Sequence, residues 1–170
     1  MTKELNSQCP YNIIADDNTF SYVFITKNNI EYRVAFVDAI NIFESTIGGD
    51  EIKNVYTLII EKINNCVEPL DFRVQQTVKK IVKDFFNDKT NSILYICEEL
   101  DSKGLKRHSA FNRCYNSSEE SAYLKKIDGS VFSVDYDSTV YTSIIYHCQH
   151  PQGDLLEESY LEIISGLNNK

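Results

Sequence analysis

Hydrophobic and polar positions alternate along the first third of the chain, as is typical of strands that bury one face. Residues 20–26 begin with an aromatic side chain at every second position, so these aromatic side chains share one face of a strand. The alternation resumes over residues 31–38, after Asn28 and Asn29, which suit a hairpin turn. Residues 55–63 are apolar on both faces near their middle, which predicts a central strand of a sheet.

The clearest helical spacing in the chain covers residues 71–88. Its apolar side chains recur at intervals that place them on one stripe of a helix, and Asp71 is the predicted N-cap. Four side chains of this stripe are predicted to be nearly fully buried: Val78, Ile81, Val82 and Phe85. A long helix that covers one face of the sheet is therefore expected.

Two further helices are predicted in the second half of the chain. The first is a short helix at about residues 105–117. The second is a C-terminal helix at about residues 154–165, where Asp154 and Glu157 form a capping-box pattern and Gly166 is a typical stop signal.

The remaining apolar runs of the second half predict strands. Residues 92–97 form a short buried run, and residues 140–147 are rich in β-branched and aromatic side chains. The pair Asp128-Gly129 lies between two alternating runs and is the strongest hairpin signal in the chain. Together the elements predict an α+β fold, a single domain over residues 1–170 with a mixed, mostly antiparallel sheet.

Composition narrows the class of protein. A chain of 170 residues has the size of one domain, and no window is apolar enough for a membrane span. The polar N-terminus lacks the apolar stretch of a secretory leader. The five cysteines are odd in number and none lies in a C-x-x-C spacing, which indicates free thiols in a reducing cytoplasm. Many Ile and Asn residues beside few Ala indicate an AT-rich microbial genome.

The charge balance is acidic except in one segment. Seventeen basic and 25 acidic side chains give a net charge of −8, so nucleic acid is not expected as a partner. Residues 103–113 contain four cations and no acid, and the rest of the chain has a net charge of −12. The candidate anion- or partner-binding residues are Lys103, Lys106, Arg107 and Arg113. Guanidinium forks suit carboxylate or phosphate, whereas the alternative is a solvated helix face.

Residue types that serve catalysis and metal binding occur without their usual partners. His147 and His150 flank a cysteine, but no second ligand pair with zinc spacing is visible. Cys114 follows His108 by about 1.7 turns of a helix, so the thiol and the imidazole point in different directions. Cys97 is followed by two glutamates, which disfavour its thiolate. We therefore expect no catalytic residue, no metal and no cofactor.

The order of elements from residue 55 to residue 147 resembles that of the GNAT acyltransferases. In that family a loop of the type Gln/Arg-x-x-Gly-x-Gly/Ala holds the pyrophosphate of coenzyme A with its backbone N–H groups. Here the loop over residues 64–73 has no glycine, Glu68 and Asp71 add carboxylates, and Pro69 lacks an N–H. The resemblance therefore implies an atypical or degenerate acyltransferase-like protein that does not bind coenzyme A in the usual way.

The overall pattern is also similar to small uncharacterised bacterial proteins that are classed as a domain of unknown function. Three hypotheses about function follow. The first is a non-catalytic, cytoplasmic protein-interaction module that binds another protein through an exposed sheet face or through residues 103–113. The second is a GNAT-like protein, and the third is an anion or RNA binder that uses the same basic residues.

Overall fold

The computed structural model describes residues 10–16, 18–64, 71–97, 103–135 and 137–169. These residues form one mixed sheet and three α-helices. In chain order, the strands are β1 (Ile14–Asp16), β2 (Ser21–Ile25), β3 (Glu31–Asp38), β4 (Val55–Lys62), β5 (Ser92–Cys97), β6 (Leu124–Ser133) and β7 (Ser138–His147). The helices are α1 (Phe72–Phe85), α2 (Gly104–Asn116) and α3 (Gly153–Asn168).

The seven strands lie in the order β1-β2-β3-β4-β5-β7-β6. β4 and β5 pair in parallel, with Val55 opposite Ser92. The pairs β1–β2, β2–β3, β5–β7 and β6–β7 are antiparallel. The predicted α+β fold with a mixed, mostly antiparallel sheet is therefore confirmed, and each of the three predicted helices is present.

The backbone divides into two compact units. The N-terminal unit contains the residues up to Val37 together with Leu58–Asn87. The C-terminal unit contains Asp38–Thr57 and the residues from Asp88 onward. β4 contributes residues to both units. That residues 1–170 fold as a single domain stays a prediction.

In the N-terminal unit, α1 packs against the aromatic face of the sheet. Phe24 and Phe36 are buried, and the ring of Phe36 stacks on that of Phe85 with 3.9 Å between the centroids. α1 begins where the side chain of Asp71 accepts a hydrogen bond from the backbone N–H of Arg73 at 2.9 Å. The predicted N-cap is therefore confirmed.

The buried stripe of α1 differs from the predicted one. Of the four predicted side chains, Ile81 and Phe85 are buried. Val78 and Val82 are only half-buried. Thr77 is fully buried instead. Its Oγ1 accepts the backbone N–H of Tyr11 at 2.8 Å and donates to the carbonyl oxygen of Arg73 at 2.6 Å. A hydrophobic pattern does not count threonine, so it misplaces the centre of the stripe.

The core of the C-terminal unit lies between α3 and one face of the sheet. Its buried members are Ala39, Phe43, Ile52, Val55, Leu94, Ile144, Tyr146, Leu156 and Tyr160. Leu94 and Ile144 stand opposite each other on β5 and β7. Leu156 and Tyr160 are four residues apart on α3, so both side chains face the sheet.

The hairpin between β6 and β7 lies further along the chain than predicted. Asp128 and Gly129 are inside β6, which ends at Ser133, and β7 begins at Ser138, directly after Asp137, which has a φ of 45°. The prediction of a hairpin at Asp128-Gly129 is therefore wrong. A Cβ atom at Gly129 would lie 2.6 Å from Oη of Tyr160 and 2.9 Å from Cγ1 of Ile164. Glycine is needed there because α3 approaches the strand closely.

The ends of α3 also differ from the sequence prediction. Its start has no side-chain cap, and Glu157 accepts a hydrogen bond from Oη of Tyr146 at 2.9 Å. The predicted capping box is therefore wrong. The helix continues past Gly166 to Asn168, whose amide donates to the carbonyl oxygen of Ser130 at 2.9 Å. Contacts with the sheet override the local start and stop signals.

Candidate interaction surfaces

The basic segment, residues 103–113, comprises most of α2 and the residue before it. All four predicted binding residues are exposed: Lys103, Lys106, Arg107 and Arg113. Lys106 and Arg113 are seven residues apart, so they lie within about 20° of each other around the helix and about 10 Å apart along its axis. These two cations therefore share the outer stripe of α2.

Arg107 lies about 100° from Lys106 around the helix, on the side nearer β5. Burial raises the pKa of the Cys97 thiol, and the positive charge of Arg107 opposes part of this rise. The backbone N–H of Arg107 donates to the carbonyl oxygen of Lys103 at 3.0 Å. The structure thus separates the outer pair of cations from Arg107. Binding of an anion or a partner by this segment stays a prediction.

Polar side chains lie beneath α2, in an arrangement that the sequence did not indicate. This polar layer consists of His108 and Asn112 on α2, Asp128 on β6, and Tyr141 and Ser143 on β7. The ring of His108 stacks on that of Tyr141 with 5.0 Å between the centroids. Its Nε2 lies 3.0 Å from Nδ2 of Asn112. His108 Nδ1 and Asn112 Oδ1 are buried without a hydrogen-bond partner among the described residues.

Asp128 is the charged centre of the polar layer. Burial raises its pKa, but hydrogen bonds from Lys126 and from Oγ of Ser143, the latter at 2.6 Å, outweigh burial and hold the pKa below its usual value. The side chain of Lys126 is only 5% exposed, whereas that of Asp128 is 53% exposed, so a half-exposed carboxylate neutralises a buried cation. Alternation along β6 places residues 126 and 128 on one face, but the Asp128-Gly129 pair predicted a turn instead.

The second surface lies in the N-terminal unit, on the face of its strands that is opposite α1, and is hereafter called the open face. In the N-terminal unit, the described residues place no helix on it. Val23 stands opposite both Ile14 and Arg33, so alternate residues of three strands share this face. Four aliphatic side chains on this face are between 39% and 68% exposed: Ile14, Ile25, Val37 and Ile59. Several exposed aliphatic side chains on one sheet face are typical of an interaction surface.

Charged side chains are interspersed on the open face. An Arg33 guanidinium nitrogen lies 3.3 Å from a carboxylate oxygen of Glu61, and each side chain is 49% exposed. Strand pairing places Asp16 and Glu31 on the same face. Hydrogen bonds, chiefly from Thr19, hold the pKa of Asp16 below its usual value, so this carboxylate is ionised at neutral pH. With three acids and one base, this set is acidic.

The outer edge of β6 is closed by side chains at both ends. Oη of Tyr115 donates to the carbonyl oxygen of Leu124 at 2.6 Å, and Asn168 accepts the backbone N–H of Phe132 at 3.3 Å. Between them, the buried side chain of Lys126 points inward. An inward charge on an edge strand disfavours pairing with another strand. A sheet face is therefore a better candidate for binding than this edge.

Comparison with protein families gives one match. A family model matches residues 70–162, more than half of the chain. The chain belongs to DUF6169, a family of unknown function. The DUF6169 match contains α1, α2 and the polar layer, whereas β1–β4 precede it. Neither a curated protein nor a solved structure matches the chain. Membership of a family of unknown function, which the sequence predicted, is thereby confirmed.

The GNAT-like loop of the DUF6169 chain lies mostly outside the described residues, because residues 65–70 are not among them. Asp71 accepts hydrogen bonds from the backbone N–H of Arg73 at 2.9 Å and from Oη of Tyr11 at 2.5 Å. Its carboxylate occupies the N-terminus of α1, which is where an anion binds a helix. The position at which an anion would bind this end of α1 is therefore already taken by a side chain of the chain itself.

The two histidines near the end of β7 in the DUF6169 chain make local contacts. His147 Nδ1 accepts the backbone N–H of Gln149 at 3.0 Å. His150 Nδ1 accepts the backbone N–H of Gln152 at 3.0 Å, and His150 Nε2 lies 2.9 Å from the carbonyl oxygen of Thr90. Because Nδ1 accepts, Nε2 carries the proton and donates to Thr90. His150 therefore connects the turn before β5 to the start of α3.

In the described part of the DUF6169 chain, no three His, Cys, Asp or Glu residues are grouped so that they could hold a metal ion. The cysteines that can be described are free thiols, namely Cys97, Cys114 and Cys148. In the same residues, no helix has both the length and the apolar character that crossing a membrane requires.

Proposed function

We propose that this protein is a non-catalytic module that binds another protein through its open face. The observation that carries the proposal is the exposure of four aliphatic side chains on one sheet face: Ile14, Ile25, Val37 and Ile59. Fully burying one such side chain contributes about 1.5–3 kcal/mol relative to leaving it exposed. A partner that covers all four therefore gains several kcal/mol of association free energy, which supports binding at this face.

Affinity capture from an extract of the source organism tests this proposal. Replacing both Ile25 and Ile59 with Asn removes two aliphatic side chains without adding charge, and we expect the partner captured by the wild type to be lost. Leu161→Asn with Leu167→Asn is the matched control, because these leucines of α3 are 47% and 46% exposed. Equal recovery by all three proteins, at unchanged melting temperatures, contradicts the proposal.

A second candidate function is binding of an anion, including RNA, by the basic segment. It is supported by Lys106 and Arg113, which share the outer stripe of α2. Because screening weakens contacts between exposed charges, such binding declines as salt is added. Titration with polyuridylate RNA at low and high salt, for the wild type and for Lys106→Glu with Arg113→Glu, measures this. Equally tight binding by the variant rules the segment out.

A third candidate function is that of an acyltransferase-like protein. It is supported by the order of elements from β4 to β7 and by the parallel pairing of β4 with β5. The carboxylate of Asp71 at the start of α1 argues against binding of coenzyme A there. We expect no rise in melting temperature with acetyl-coenzyme A. A ligand that binds only the folded chain, when present at 100 times its Kd, raises the free energy of unfolding by about 2.7 kcal/mol. A clear rise in melting temperature with acetyl-coenzyme A would therefore favour the acyltransferase-like function.

We also infer a bacterial source and a cytoplasmic location. The composition, rich in Ile and Asn and poor in Ala, supports a bacterial source. The odd number of cysteines and the buried free thiol of Cys97 support a reducing compartment. Fractionation of the source organism, followed by detection with an antibody, tests the location.

A further inference from the structure

Resting on the proposed function, we propose that the partner presents an amphipathic helix to the open face. One side of this helix is aliphatic and packs against the sheet. Its flanks are rich in Lys and Arg, which meet the carboxylates of the open face.

The layers of the two units support a helix as the occupant. In the N-terminal unit, α1 covers the face opposite the open face. In the C-terminal unit, α3 packs on one face of the strands and α2 on the other, where the ring of Phe111 stacks on that of Tyr95 at 4.0 Å. Apolar sheet faces are stable when another layer of secondary structure covers them. A helix from a partner supplies the layer that the described residues of the N-terminal unit do not place on the open face.

The size of the open face suits one helix. β3 has eight residues, and at about 3.3 Å per residue it is about 26 Å long. α1, which covers the opposite face, has 14 residues, which is about 21 Å at 1.5 Å per residue. A partner helix of similar length therefore spans the strands. Its stripe of aliphatic side chains can cover Ile14, Ile25 and Ile59 together.

The charges of the open face determine which helix fits. Asp16, Glu31 and Glu61 bring three carboxylates to the rim and centre of the aliphatic surface, and Arg33 already lies beside Glu61. The chain as a whole has a net charge of −8. Such a surface repels an acidic helix. A helix with Lys and Arg side chains along its flanks complements the carboxylates. The open face therefore favours a basic amphipathic helix over an acidic one.

Two synthetic peptides of 14 residues, the length of α1, test this inference. Both have the same stripe of Leu; one has Lys at the other positions and the second has Glu. Fluorescence anisotropy gives their Kd values. Because Arg33 already pairs with Glu61, two carboxylates remain for the peptide. Two exposed ion pairs of ordinary strength amount to about fivefold in affinity, so we expect the Lys peptide to bind about fivefold more tightly. This preference should shrink at high salt and in the Glu31→Gln variant.

Open-face variants show where the peptides bind. Ile25→Asn with Ile59→Asn should weaken the Lys peptide about tenfold or more, whereas Leu161→Asn with Leu167→Asn should not. If both peptides bind equally and both depend on Ile25 and Ile59, the open face is a binding site and only the inferred basic partner is wrong. If the Kd of the Lys peptide is unchanged by the two Ile substitutions, the peptide binds elsewhere and the inference is overturned.

Sedimentation equilibrium of the wild type without peptide tests whether a second copy of this chain occupies the open face. We expect no self-association that depends on the open face. Concentration-dependent association that the two Ile substitutions abolish would show that the occupant is a second copy of this chain, and would overturn the inference. The proposed function would still stand in that case, because the open face would bind a protein.

Discussion

Replacing Gly129 with Ala adds one methyl group where β6 meets α3. The new Cβ would lie 2.6 Å from Oη of Tyr160 and 2.9 Å from Cγ1 of Ile164. Non-bonded carbon contacts are most favourable at about 3.5–4.0 Å. Tyr160 is only 1% exposed, so its ring cannot swing into solvent. Either α3 or β6 must therefore shift.

The expected loss of stability follows from two opposing effects. Inserting a methyl group into a packed core costs about 1–3 kcal/mol. Replacing Gly with Ala at a compatible backbone contributes about 0.4–1 kcal/mol, because the unfolded chain loses freedom, and Gly129 has no positive φ. We therefore expect a net loss of about 1–2 kcal/mol. For a chain of this size this corresponds to a fall of about 2–8 °C in melting temperature, measurable by calorimetry.

Two further variants isolate the cause. Gly166→Ala, inside α3 with no atom within 4 Å of the new Cβ, should stabilise the protein by about 0.5–1 kcal/mol. Tyr160→Phe removes Oη, the atom nearest to the new Cβ, so Gly129→Ala should lower the free energy of unfolding by less in the Tyr160→Phe protein than in the wild type. The difference between these two losses is the coupling energy of the two residues. A Gly129→Ala protein as stable as the wild type would refute the close approach of α3 to β6.

Two further predictions concern polar groups of the C-terminal unit. Burial lowers the pKa of His150 below its ordinary value of 6.5, so the unfolded chain binds the proton more readily and stability falls as the pH drops below about 6.5. In urea unfolding this fall should be smaller for His150→Gln, and an equal fall contradicts the assignment. Asp128→Ala leaves the buried ammonium of Lys126 without its carboxylate and should cost about 1–3 kcal/mol. Asp128→Asn should cost less, because it can still accept from Ser143; equal costs would refute the role of this hydrogen bond.

The amino-acid sequence determined the features that depend on local spacing. Residues 92–97 form β5 as predicted, and Asp71 caps α1 because its side chain reaches a backbone N–H two residues away. The prediction of a short helix in the basic segment is confirmed. Helical periodicity extends over only a few turns, so a short stretch of sequence is enough to show it. Local spacing also predicted the mixed sheet, because the order of strands and helices restricts the possible topologies.

Tertiary structure alone decided which faces are covered. Alternation places Phe24 on one side of β2 and Ile25 on the other, but both are apolar, so only the position of α1 makes Phe24 buried and leaves Ile25 exposed. The glycine of β6 was misread for a related reason, because the atom that requires it belongs to Tyr160, 31 residues away. The polar layer escaped detection because its members come from three separate elements. Contacts between residues distant in sequence leave no periodic signal.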